Sequence, residues 1–157
     1  MKSFWRDEKM EETICMWHPR RGFSAASENV LHGGTSGSLI DCNGVWLAIA
    51  DRYRRGGRRF GDLPIDWWYV SRNFHVELKH PVPTDQGPLA VYTRLIEVSG
   101  RKTFTESKIL LGEKELVTGT TFSIAVPLTR RGLEDLIYPT NEWLVIKVLH
   151  FFGLAYP

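Results

Sequence analysis

Alternation of apolar and polar positions dominates the second half of the chain. From Trp67 to Leu78, Trp68, Val70, Phe74, Val76 and Leu78 fall on one side and Ser71, Asn73, His75 and Glu77 on the other, with Arg72 interrupting the pattern. That period predicts a strand with one buried face, ended by Pro81 and Pro83. Further strands are predicted at Leu89 to Ser99, Lys102 to Leu111 and Glu115 to Val126, and the Ser99-Gly100-Arg101 and Gly112-Glu113-Lys114 connections are short enough for antiparallel hairpins. Upstream, Glu12 to Trp17 reads as a short strand and residues 18 to 31 as a loop containing Pro19 and Gly22. Between loop and strands, Thr35 to about Tyr53 carries Leu39, Ile40, Val45, Trp46, Leu47, Ile49 and Ala50 on nearly every side, which predicts a buried helix.

A strand, a long helix and four sequential strands make an α+β domain. One helix cannot cover both faces of such a sheet, so the predicted arrangement is an antiparallel sheet curled around the helix, its other face partly covered by a second subunit. This domain takes residues 1–127. Residues 128–157 form an extension in which Thr129 to Leu136 can make a helical turn and Asn141 to Phe152 a second helix capped by Asn141. The apolar surface of 141–152 has to be covered, by its own domain, by a subunit neighbour, or by a membrane interface carrying lipid-like substrates.

Composition narrows the class. With 157 residues and 43% hydrophobic content the chain fits one globular domain rather than a disordered one. The charged stretch Met1 to Glu12 has no apolar run of a secretory signal, and no window approaches the roughly 20 apolar residues of a membrane span, so a cytoplasmic protein is expected. Cys15 and Cys42 are too few for a disulfide framework, and the five histidines lack metal-ligand spacing, so no metal is expected. A net charge of +2 gives no reason to expect nucleic acid as a partner. Five arginines nevertheless cluster between Arg52 and Arg59, either as a solvated loop or as a basic rim in which Arg54, Arg55, Arg58 and Arg59 bind the phosphates of a nucleotide-bearing substrate or an acidic carrier protein.

The candidate chemistry lies at the helix entrance, His32-Gly33-Gly34-Thr35-Ser36-Gly37, with Asp41 nine residues after the histidine. The first amides of a helix are unpaired and the dipole is positive there, so they can hold a carbonyl oxygen as charge develops on it. Glycines at the entrance remove the Cβ atoms that would keep a substrate away from the backbone. Asp41 then lies about two turns along the same helix, and an anion hole and a carboxylate are expected to face one small cleft. The same Gly-Gly-Thr-Ser string is also an ordinary way to enter a helix. A phosphate loop does not fit, for lack of a Gly-Lys-Ser/Thr ending or a Gly-x-Gly-x-x-Gly string.

These residues resemble the hotdog-fold acyl-CoA thioesterases of the phenylacetate-pathway (PaaI-like) and 4-hydroxybenzoyl-CoA type, over roughly residues 12 to 127. The family's His-Gly-Gly and its acid nine residues on match His32, Gly33, Gly34 and Asp41, and its Val-Ser pair ten residues before a strand-ending proline matches Val70-Ser71 before Pro81. The resemblance implies a hotdog fold and hydrolysis of acyl-CoA or acyl-carrier-protein thioesters by a homodimer or homotetramer. It implies no cofactor beyond the coenzyme A of the substrate. Asp41 would be nucleophile or general base, Gly33 and Gly34 the anion hole, His32 a loop-fixing residue and Ser71 the hydroxyl that helps place the attacking water. Many members also carry Asn or Gln six residues before the histidine, where this chain has Ala26, and Asn29 is either its substitute or a turn residue. Two other readings stay open: an acyl-CoA-binding or regulatory hotdog module without turnover, and a hotdog dehydratase or other lyase.

Overall fold

The computed structural model describes residues 3–25, 27–62 and 67–128. Six strands form one antiparallel sheet: β1 (Ser3–Trp5), β2 (Glu12–Trp17), β3 (Trp67–Leu78), β4 (Leu89–Ser99), β5 (Lys102–Leu111) and β6 (Lys114–Pro127). Among the described residues there is one long helix, α1 (Gly33–Arg55), which precedes β3 and packs against β3, β4, β5 and β6. The predicted strands and helix are therefore present, with ends that differ by a few residues. The charged amino terminus also adds β1, which pairs with β2 and sends Ser3 Oγ to Asn43 Oδ1 of the helix at 3.0 Å.

Order in the chain is not order in the sheet, which runs β1-β2-β4-β5-β6-β3. The two short connections make the hairpins β4–β5 and β5–β6. Residues 79–88 instead carry the chain from β3, paired with β6 at one edge, across to β4. On the way they brace the loop before the helix: Leu31 N–H donates to Val82 O at 2.8 Å and Thr84 N–H to Asn29 O at 3.1 Å. Among the described residues no strand pairs with the second edge of β3.

The helix is amphipathic rather than surrounded. Ser36, Leu39, Ile40, Asn43, Leu47 and Asp51 form a buried stripe at three- and four-residue spacing, whereas Trp46 is 43% exposed. Under its first half lies a core of Leu39, Ile40, Leu89, Val91, Ile109 and Val117, and under its second half a smaller one of Ala48, Ile49, Tyr69 and Ala125. Burying a side chain such as Ile40 or Leu47 is worth about 1.5–3 kcal/mol. Between the two cores the sheet presents hydroxyls, with Thr93, Thr105, Ser107 and Thr121 all buried and Thr93 Oγ1 bonded to Ser107 Oγ at 2.9 Å. There the helix comes very close, since a Cβ on Gly44 would sit 2.6 Å from Thr121 Cβ and 2.7 Å from Thr105 Oγ1.

The extension after residue 128, with the predicted helix over 141–152, and Ala26 lie outside the described residues. Among the described residues no helix is long and apolar enough to cross a membrane.

Candidate active site

His32 sits in an extended conformation (φ −61°, ψ 130°) and caps α1. Its ring folds back so that Nδ1 accepts the Gly34 N–H at 3.0 Å, while its carbonyl accepts the Thr35 N–H at 2.9 Å. An accepting Nδ1 places the proton of a neutral imidazole on Nε2. The cap demands a residue without a side chain next to it: a Cβ on Gly34 would lie 2.9 Å from the His32 ring. Because Gly34 and Thr35 donate to the cap, Gly33 is the helix-start N–H without a hydrogen-bonded acceptor among the described residues.

Asp41, half-buried, accepts a hydrogen bond at Oδ1 from Ser71 Oγ of β3. This contact overturns the face assignment drawn from simple alternation, which put Ser71 opposite Phe74 and Val76. Ser71 pairs with Ser123 and Asn73 with Phe122, so Arg72 is an extra residue in a β-bulge and the phase shifts by one. Before the bulge Ser71 faces the helix; after it Phe74 and Val76 do, and a Cβ on Gly37 would be 3.2 Å from Phe74 Cε2. Farther on, Leu78 Cδ1 lies 3.0 Å from where a Cβ of Gly33 would be. β3 thus runs antiparallel to α1, with Ser71 beside Asp41 and Leu78 beside Gly33.

One expectation fails on distance. Gly33 and Asp41 are eight residues apart on a continuous helix, or about 12 Å along its axis at ~1.5 Å per residue. A carbonyl oxygen needs its donor within about 3 Å, so within one chain the two do not face one small cleft. Cys42, beside Asp41, is a free half-buried thiol; burial first, and the charge of Asp41 second, push its pKa up, which makes it a poor nucleophile.

The arginines lie at the other end of the helix. Arg54 Nη2 is 2.6 Å from Oδ1 and Arg55 Nε 2.6 Å from Oδ2 of Asp51, whose side chain is 1% exposed. The second contact is off the hydrogen-bonding angle, so Oδ2 is charge-paired without a hydrogen bond. Arg58 donates to Asp62 O at 2.7 Å and lies over the Tyr53 ring, and Arg59 donates its backbone N–H to Asp62 Oδ2 at 2.8 Å. From Asp41 to Arg54 the helix rises about 20 Å. Asn29 occupies an exposed turn next to Val30 and accepts from Thr84 with its carbonyl. Structure therefore joins His32, Gly33 and Gly34 at the helix start and Asp41 with Ser71 two turns on, and separates both from the four arginines. Pattern reading missed Phe74, Leu78 and Ser36 as neighbours of these groups; the break at Arg72 was the available signal.

No protein-family model matches the chain, and no curated protein matches it by sequence. Solved structures do. A thioesterase superfamily protein from Shewanella loihica PV-4 superposes with a TM-score of 0.61 at 25% identity, covering 79% of this chain and 89% of that one. The fold is the thioesterase hotdog. Two other hotdog structures agree in fold: a mutant thioesterase from Pseudomonas aeruginosa (TM-score 0.63, 15% identity, 81% of each chain) and a thioesterase from Haemophilus influenzae (TM-score 0.57, 15% identity, 76% of this chain and 73% of that one). In the hotdog of this chain the central helix is α1, and its start and its Asp41 both lie against β3, the edge strand of the described sheet.

Proposed function

We propose that this hotdog protein hydrolyses the thioester of an acyl-CoA or acyl-carrier protein, working as a homodimer paired through β3. The observation that carries the reading is the Asp41–Ser71 pair on an edge strand that also borders Gly33. Antiparallel pairing of β3 with a second copy, centred on His75 and with Arg72 again the extra residue of the bulge, sets Ser71 opposite Leu78 of the partner subunit. Asp41 of one copy then faces the helix start of the other, which removes the 12 Å problem. Phe74 and Leu78, 49% and 56% exposed, would be covered by the same contact.

Water held by Asp41 attacks the thioester carbon and gives its proton to the carboxylate, the carbonyl oxygen gathers charge at the Gly33 N–H of the other copy, and the C–S bond breaks as the thiolate takes the proton back. A thioester suits so small a set of groups because its thiolate leaves readily. Ser71 donates its only proton to Oδ1, which orients Asp41 and leaves Oδ2 for the water. Arg54 and Arg55 are held on Asp51, and Arg58 and Arg59 are the candidates for substrate phosphates.

Thiol release from a panel of acyl-CoA substrates tests this. Asp41→Asn should lose at least about 100-fold in kcat with binding retained, a usual size for a lost general base. Wild-type turnover in that variant would defeat the mechanism. The second reading, a binding module, is favoured by Ala26, which stands where many thioesterases of this type carry an amide; tight acyl-CoA binding without thiol release would establish it, and an alkene product from a 3-hydroxyacyl substrate would establish a lyase.

A further inference from the structure

A cavity of about 290 Å³ opens beside the helix start, walled by Val30, Leu31 and the segment Leu78-Lys79-His80-Pro81-Val82, with Ser36 from the helix. Its size is close to the roughly 300 Å³ at which ligand pockets begin. Leu78 is shared with the neighbourhood of Gly33, so the cavity begins where the anion hole is placed. Its mostly apolar lining suits an alkyl or aryl group.

Ser36 is the anomaly. It is 1% exposed, and its hydroxyl has no hydrogen-bond partner among the described residues. The helix does offer serine hydroxyls a partner one turn back, since Ser38 Oγ donates to Gly34 O at 3.0 Å. Ser36 does not take the equivalent bond to His32 O, which already accepts from Thr35 and, at 3.4 Å, from the Ser36 N–H. A buried hydroxyl left without a partner is uncommon and calls for one supplied from outside the chain.

We infer that this cavity holds the acyl group of the substrate and that Ser36 selects acyl groups bearing a hydroxyl or oxo oxygen near the carbonyl. The inference rests on the thioester reading above. Three residues separate Ser36 from Gly33, about 4.5 Å along the helix axis, which puts the recognised oxygen a few bonds from a carbonyl bound at Gly33. A site built to bond a substrate hydroxyl discriminates against the analogue without one because its own polar group is then left unpaired.

Binding of octanoate and 3-hydroxyoctanoate, followed by calorimetry on the full chain, reads the pocket without turnover. The hydroxylated acid should bind about tenfold more tightly to the wild type, the scale of one neutral hydrogen bond, and Ser36→Ala should erase the difference while binding octanoate at least as well. Equal binding of the two acids by the wild type, or a preference that survives Ser36→Ala, would overturn the inference, including the case in which a fixed water satisfies the serine. Octanoyl-CoA and 3-hydroxyoctanoyl-CoA turnover is measured beside it. A Ser36-dependent binding preference without any thioester hydrolysis keeps this pocket and rejects the hydrolase reading, so the two fail separately.

Discussion

At the residue scale, Ser71 and Cys42 bracket Asp41 and have opposite uses. Ser71 is a positioning residue: it contacts the carboxylate and, in the proposed mechanism, neither gives nor takes the transferred proton. Ser71→Ala should therefore lower kcat about tenfold with little change in KM, because the base stays but its orientation loosens, and Ser71→Thr should recover part of the loss by restoring the hydroxyl. A change confined to KM would assign Ser71 to substrate binding instead. The Cys42 thiol, held up by burial and by Asp41, should react with iodoacetamide more slowly than a free cysteine at pH 8 and speed up only as pH passes the ordinary thiol range. The sign is that of a raised acid pKa: the thiol form that the fold favours is fully populated below the unfolded value and is lost as pH rises through the folded one. Mass spectrometry of a pH series reads both cysteines at once, with buried Cys15 as the internal control.

At the element scale, the helix and its sheet show what hydropathy patterning can and cannot reveal. Alternation located the four long strands because their apolar positions recur in step, and the histidine-to-acid spacing located both ends of the candidate site. The inner faces of β5 and β6 were harder to see. Thr103, Thr105, Ser107, Thr121 and Ser123 are buried yet count as polar, so the close helix–sheet approach at Gly44 left no apolar signature and drew no attention. The parity error on β3 has a different cause, a bulge whose single extra residue reverses every later side chain. Gly44→Ala should cost about 2–3 kcal/mol, since two sheet residues on rigid backbone would have to move for one methyl, and urea melts followed by circular dichroism will show it. The basic cluster divides in the same way. Arg54→Ser with Arg55→Ser strips the buried Asp51 of both partners and should destabilise by about 3 kcal/mol, the low end for an orphaned buried charge because both guanidinium groups are a third or more exposed. Arg58→Ser with Arg59→Ser should instead raise KM for CoA thioesters in a salt-sensitive way.

At the scale of the whole molecule, the separation of Gly33 from Asp41 on one rigid helix is what makes a second copy part of the proposed chemistry, and it supplies a decisive mixing experiment. Gly33→Pro removes the proposed oxyanion donor. Proline is well accepted at the first helical position, and His32 already has the extended backbone that a following proline requires. The nearest obstacle, Leu78 Cδ1, is the far end of a flexible side chain. Gly33→Pro and Asp41→Asn should each be nearly inactive alone. Co-refolded in equal amounts they should recover about one quarter of the wild-type rate per site, since half of the dimers are mixed and each mixed dimer has one intact site of its two. If Gly33 and Asp41 acted within one chain, no mixture would exceed the separate variants. Light scattering on the same samples must give a dimer mass for the recovery to count, and Phe74→Glu with Leu78→Glu, which places like charges across the proposed β3 seam, should lower the mass to that of a monomer and abolish the recovery together.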